Sequence, residues 1–297
     1  MRSKLLAAAG AVLLIVAAVF VRMLVSGGGG SGTGPDAAGR PVVGCSPGLE
    51  QVCDALAVTK AIAPDPPVFD LGSDGAGKGI VGDRTLDAWI TWDPAGAIAN
   101  LDANGATIWA EPVAIGSAPL VLASKQPLPR SCSDEVTKAC VFDSGANAGV
   151  AMGTPSTIDG LLRVFPVAAA VQPDLDFRNG SVATELRGLL DARNSDPGSM
   201  WEELRSAHQR GFFDSIITTD MAARSAQLGE MTKFPRSNMT LVVTPRPGAP
   251  TGWIDAALRD ESVREAIRAS GVDPGRRRIE DTPDPGVLYA LRQELSR

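Results

Sequence analysis

Histidine is nearly missing from this sequence: His208 is the single one among 297 residues. A nucleophile activated by imidazole and a zinc site built on paired histidines both need more than that. His208 lies in the polar helical stretch Glu202–Gln209 and reads as a surface residue. The close C-x-x-C and H-x-x-x-H pairs and the S-x-x-K pair are absent. Lysine is scarce, 6 against 22 arginines, and positive charge is the minority sign. Beyond residue 40 there are 24 basic and 33 acidic residues, formally −9, a balance that disfavours nucleic acid or anionic lipid as a partner. Internal repeats are absent, and low complexity is confined to Ser26–Gly39.

Present instead, at the N-terminus, is a nearly unbroken apolar run from Leu5 to Val25. About 20 residues at ~1.5 Å each match a hydrocarbon core of ~30 Å. Arg2, Lys4 and the amino terminus precede it, so the short flank stays in the cytoplasm and the rest of the chain lies outside. A cleavable signal peptide is the competing reading, but it has a shorter apolar region and a small-residue cleavage site, which does not follow Val25. Arg22 interrupts the far end, where a long side chain can snorkel to the head groups. The expectation is a single-pass protein of the cell membrane, with residues 1–40 as anchor and Gly-rich linker and the domain extracellular. Gly27 to Gly30 and their neighbours make that linker flexible.

Four cysteines fall at equal spacing, Cys45 with Cys53 and Cys132 with Cys140. In an exported chain this points to disulfides, and local pairing is the simplest of the three possible connectivities. Val42–Cys45 superficially resembles a lipoprotein cleavage box, but some 20 residues separate Cys45 from the apolar run. About 257 residues remain after the linker, enough for one large domain or two lobes.

Short apolar runs bounded by Gly, Pro, Asp or Ser read as strands: Pro41–Gly44, Pro67–Gly72, Leu86–Trp92, Val113–Ser124, Val150–Gly153, Ser215–Thr218 and Met239–Thr244. Between them the pattern predicts helices over Pro47–Ile62, Pro94–Asp102, Ser156–Val164, Ser181–Arg193, Ser199–Arg210, Asp220–Gly229, Trp253–Ala269 and Val287–Leu295. Such alternation argues for an α/β fold with helices flanking a largely parallel sheet. Asp93-Pro94 and Thr154-Pro155 each set a capping residue before a proline suited to a first helical turn.

Gly72-Ser73-Asp74-Gly75-Ala76-Gly77-Lys78-Gly79 imitates a phosphate-binding loop until Gly79 stands where Ser or Thr would hold magnesium. The glycines that follow make a poor helix start, so the segment reads as a flexible loop near a cleft. Acids such as Asp70, Asp74 and Asp93 could converge for carboxylate-pair hydrolysis, which keeps an extracellular hydrolase as a third-ranked reading. In Asp87–Asp93, Trp89 and Trp92 cannot share a face of a regular strand. Trp92 sits at the carboxyl end, where open α/β sheets place a ligand crevice.

Four segments together resemble bacterial extracellular solute-binding proteins of the type II periplasmic-binding-protein fold, especially membrane-anchored actinobacterial members. Val42-Val43-Gly44-Cys45-Ser46-Pro47 is similar to the first strand and turn, and Asp87–Asp93 to the strand facing the cleft. Ile115-Gly116-Ser117-Ala118-Pro119-Leu120-Val121-Leu122 is similar to the Ser-Pro crossover strand. Trp253–Gly271 is similar to the late helix. The resemblance implies a two-lobed domain over 41–297, with lobe I at about 41–118 and 237–297 and lobe II at about 119–236, crossing near Ser117 and Met239. It implies capture of a small solute between the lobes, for an ABC-type permease, without catalysis, cofactor or metal. A cell-surface interaction or sensory module on the same fold is the alternative. Exposed donors at helix starts are the expected ligand contacts: Ser46, Ser117, Thr154, Ser156 and Thr219, with Trp92 as an apolar wall.

Overall fold

The computed structural model describes residues 39–71, 86–145, 149–153, 155, 157–177, 184, 186, 211, 213–276 and 282–295. The expected membrane helix and linker, the loop Gly72–Gly79, His208, Thr154 and Ser156 lie outside the described residues. So does the helix expected over Ser199–Arg210, and that over Ser181–Arg193 except at Thr184 and Leu186. Among the described residues no helix is long and apolar enough to cross a membrane.

The chain opens with β1 (Val43–Cys45) and α1 (Glu50–Val58), then β2 (Ala88–Trp92), α2 (Ala95–Asp102) and the twelve-residue β3 (Val113–Ser124). A short 3₁₀ turn at Arg130–Cys132 leads to α3 (Lys138–Ser144), β4 (Val150–Ala151) and α4 (Ile158–Val171). After β5 (Ser215–Thr219) and α5 (Asp220–Ser225) comes the sixteen-residue β6 (Glu230–Pro245). The end of the chain holds α6 (Trp253–Ala257), α7 (Glu261–Ala269), β7 (Asp273–Pro274) and α8 (Pro285–Leu295).

The strands form one sheet in the order β1-β2-β6-β3-β5-β4, with β7 beside β3. Contrary to the largely parallel expectation, only the flanking pairs are parallel, β1 with β2 and β4 with β5. Each of those pairs is joined through intervening helix, as parallel connections require. The centre is antiparallel because β3 and β6 run alongside each other for most of their length and each takes an antiparallel neighbour, β5 and β2.

Two breaks divide the β3–β6 ladder. Ser117, Ala118 and Pro119 face Thr240, Met239 and Asn238, after which the register shifts and resumes at Val121 opposite Lys233. Pro119, which has no N–H to give, stands at this break. A second shift lies between Ala114 and Gly116. At Gly116 β7 approaches so closely that a Cβ there would come within 2.9 Å of Val272 Cγ2.

Burial follows the alternation of the strands. Leu120, Leu122 and Ile217 join the main apolar cluster, which extends without interruption through β1, β2, α1, α2, α4 and α8. Val121, Ala123 and Ile216 turn to the opposite face, where α5 and Leu228 close a smaller cluster. Trp89 packs at a tilt against Trp109, ring centroids 5.9 Å apart, and the Arg246 guanidinium lies over the Trp109 ring at 4.6 Å. Cys45 is bonded to Cys53 and Cys132 to Cys140, the local pairing.

Three helix starts differ from expectation. Asp93 does not cap α2: the Asp93-Pro94 peptide is cis, and the helix begins without a side-chain cap. The helix after Pro155 starts at Ile158, where the Thr157 hydroxyl accepts from the Gly160 N–H at 3.2 Å. Trp253–Ala269 is two helices, because Asp260 caps a new one by accepting from the Ser262 N–H at 2.9 Å.

Candidate functional site

The carboxyl ends of β1 and β2 meet at Ser46 and Thr91. The Ser46 hydroxyl donates to Thr91 Oγ1 at 2.7 Å and the Ser46 N–H donates to the Ile90 carbonyl at 2.9 Å, with both side chains fully enclosed. One residue beyond Trp92, the Asp93 N–H donates to the Thr240 carbonyl, and Thr240 is in register with Ser117. Trp92, Asp93 and Ser117 therefore stand at one level of the sheet. They do not share a face. Paired residues point the same way, so Thr91 with Val242 and Ser117 with Thr240 lie on one side, and Trp92 with Leu241 lies on the other. Trp92 is only 5% exposed and belongs to the main apolar cluster.

Thr219, at the end of β5, uses its hydroxyl twice. It donates to the Gly271 carbonyl and accepts from the Ala222 N–H at 3.2 Å, capping α5. Gly271 follows α7 with φ of 83°, a conformation suited to glycine. A cavity of about 310 Å³ opens beside this tie, lined by Ser117, Ala118, Pro119, Asp220, Arg224 and Asp273 among others. Ser117 and the start of α5 thus share a pocket at the crossover, while Ser46 and Trp92 belong to the β1–β2 end.

A third cluster gathers where α4 begins. Asp159 is nearly sequestered, accepts from the Thr157 hydroxyl at 3.0 Å and lies 3.7 Å from the Arg163 guanidinium one turn on. Arg163 also donates to the Ile217 carbonyl at 2.7 Å. Burial pushes the Asp159 carboxyl up to about 6, against the opposing pull of Arg163 and of hydrogen bonds from the Thr157 hydroxyl and the backbone N–H groups of Gly160 and Asp159. Burial likewise lowers Arg163, which Asp159 counteracts. Asp70 comes from the stretch after α1, where Val68 bridges Cys45 of β1. Its carboxylate accepts from the Leu71 N–H at 2.7 Å, and the Ile158 N–H also acts on it. Burial raises Asp70 to about 7, with nearby Asp159 adding to the rise. Asp93 is raised as well, by burial, with the Thr282 hydroxyl opposing.

Of the residues expected to hold a ligand, Ser46, Trp92, Ser117 and Thr219 are described, and they fall into the two groups above. Asp159 and Arg163 were not singled out from sequence. Their spacing of four in an otherwise apolar helix is the signal that could have found them. Among the described residues no group of three His, Cys, Asp or Glu side chains is arranged to hold a metal ion.

No family model matches the chain, and no curated protein matches it in sequence. Solved structures do resemble it in fold. Iron-bound HitA from Pseudomonas aeruginosa is similar at a TM-score of 0.50 and 12% identity, over 86% of this chain and 98% of that one. The ferric iron-binding protein A of Mannheimia haemolytica in an open conformation gives 0.47 at 12% identity, over 86% and 96%. The sulfate-binding protein SubI from Mycobacterium tuberculosis gives 0.44 at 13%, over 84% and 88%. The first of these likenesses shows the fold: mixed α/β, of the two-lobed periplasmic-binding-protein kind.

Proposed function

We propose that this chain is an extracellular solute-binding protein that takes a small polar or anionic ligand between the two halves of its fold. The reading rests above all on the β3–β6 ladder, which carries β1 and β2 on one side of the Pro119 break and β5 and β4 on the other. Two long strands with a broken register between the two flanks of the sheet would form a hinge about which the halves close on a ligand. The fold likeness to a protein whose structure holds bound iron supports a small solute as cargo. Helix starts near Ser46, Thr154, Ser156 and Thr219, with Ser117 at the crossover, would supply the donors, and Trp92 an apolar surface. Residues 1–40 would anchor the protein, and an ABC-type permease would receive the solute. No bond-making step is part of this function.

The test is a thermal-shift titration of the full chain with sulfate, molybdate, ferric citrate and small dicarboxylates. A ligand at a hundred times its Kd adds about 2.7 kcal/mol and raises Tm accordingly. If none of the probes raises Tm, this class of cargo is excluded. The anchor is tested by the intact mass of protein extracted from membranes, which retains residues 1–40 if the apolar run is uncleaved. Loss of 25 or more N-terminal residues overturns it.

One observation favours a second reading, a surface interaction or sensory module on the same fold. The hydroxyls of Ser46 and Thr219 are already engaged within the chain, with Thr91 and Gly271. Binding of a partner protein in the absence of any solute would distinguish this reading.

A further inference from the structure

We propose that the cleft beyond the carboxyl end of β3 is a second binding site, one that takes a small organic amine in its ammonium form.

The cleft measures about 490 Å³ and lies where the end of β3 meets the end of α3 and the start of β5. Small-molecule sites span roughly 300–1,000 Å³, so it has room for such a ligand. Ser124, on its lining, is seven residues along β3 from Ser117, which puts it roughly 20 Å from the crossover pocket. The site therefore stands whether or not the two halves of the fold close on a solute.

What the lining offers is acceptors. The Ser124 hydroxyl donates to the Asp214 carbonyl at 3.0 Å, that of Ser144 to the Val141 carbonyl at 3.0 Å, and that of Ser215 to the Ser144 carbonyl at 3.3 Å. A hydroxyl that has given its proton to a carbonyl can still accept. Backbone donors are spent in the same way: the Gln126 N–H donates to Ser124 Oγ at 3.0 Å and the Asp214 N–H to the Gly149 carbonyl at 3.0 Å. Pro127 and Pro129, on the facing loop, have no N–H to give. The side-chain donors that remain on the described lining are those of Lys125 and Gln126, both exposed.

Charge points the same way. Asp143 and Asp214 immediately precede the two serines joined by the 3.3 Å bond, so that bond sets both acids on one cleft, and both line it. Asp143 accepts the Ser131 hydroxyl at 2.7 Å through Oδ2, and a carboxylate takes more than one such bond. Two carboxylates against the single ammonium of Lys125 leave the described lining net negative. An oxyanion would meet like charge there. Nor do two acids suffice for a metal, since among the described residues no third His, Cys, Asp or Glu joins them. Phe213, which is buried, and Leu128 add apolar surface for a carbon body. The matching ligand carries N–H donors and positive charge at one end and an apolar group at the other.

Isothermal titration of the full chain with benzylamine, and with its neutral counterpart benzyl alcohol, tests the assignment. Benzylamine should bind one to one, and benzyl alcohol about tenfold or more weakly, because it lacks the charge-assisted bonds. Asp143→Asn and Asp214→Asn, made singly and checked by near-UV circular dichroism, should each weaken benzylamine by about tenfold. Either variant carries the test if the other fails to fold. Absence of benzylamine binding, equal affinity for benzyl alcohol, or unchanged affinity in the acid variants overturns the site. Displacement of benzylamine by millimolar magnesium at constant ionic strength overturns it too, since the acids would then hold a metal.

Discussion

The Ser46 hydroxyl donates to Thr91 Oγ1 at 2.7 Å, joining the turn after β1 to the end of β2 with neither group reaching solvent. Ser46→Ala strands a buried hydroxyl, which costs about 1–3 kcal/mol. The double variant Ser46→Ala with Thr91→Val should cost less than the sum of the two single changes, because neither partner is then left alone. Urea denaturation midpoints at constant slope measure this. Additive losses would show that the bond contributes nothing of its own.

Thr219 ties the end of β5 to the residue that closes α7 while capping α5. Thr219→Val removes both bonds and should lower stability by roughly 1–3 kcal/mol, while Thr219→Ser should stay within about 1 kcal/mol of the parent. Tm by calorimetry separates the two variants. Equal losses would mean that the methyl packing counts as much as the hydroxyl, and a loss in Thr219→Ser alone would mean that the hydroxyl bonds contribute nothing.

Each disulfide closes a loop between cysteines eight apart in sequence. Loop closure of that size constrains the unfolded chain by about 2.5 kcal/mol. Paired Cys→Ser replacement at 132 and 140 should therefore lower unfolding stability by about that amount and leave the fold in place. Non-reducing peptide maps of the parent should show 45 joined to 53 and 132 joined to 140. A peptide joining 45 to the 132–140 region would contradict the pairing.

Asp159 and Arg163 form a buried pair, so removing one member leaves an uncompensated charge. Arg163→Met alone should cost about 3–5 kcal/mol, and addition of Asp159→Asn should recover a large part of it. Asp159, held at about 6 by burial, keeps a proton that the unfolded chain has released above about pH 4. Its contribution to stability thus falls as pH rises from about 4 to 6, and loss of Arg163 should extend that window upward. Urea midpoints at pH 5 and 7.5 for the parent and Arg163→Met carry the answer; identical pH slopes would refute it.

Local pattern made much of the fold legible. Val113–Ser124 is an apolar run with turn residues before it, and the strand occupies that whole run. The first part of β6 escaped notice because Glu230, Lys233, Pro235 and Arg236 break its apolar pattern, and only the ladder with β3 makes it a strand. Helix α3 is seven residues long and gives too few turns for a period to appear. The parallel expectation failed for a topological reason: which strand lies beside which is decided by β3 and β6 crossing the whole sheet, information that no single segment carries. At the site, Thr219 was recognisable as a helix-start hydroxyl and is one, whereas Ser46 lies in the turn before a helix capped at Leu49, and their partners Gly271 and Thr91 are 52 and 45 residues away. Asp70 was readable as an acid and not as a buried one, since burial belongs to what packs around it.

The central position of β6 also governs the order in which the molecule can be completed. β1 and β2 are among the first strands to be made, yet the neighbour that joins them to the rest of the sheet ends at Pro245. A chain emerging N-terminus first carries those two strands as an unfinished edge until Leu241 to Pro245 are out. Pairing across so long a separation is slow, so in a growing polypeptide of this design the two flanks of the sheet stay unjoined until the second half of β6 arrives.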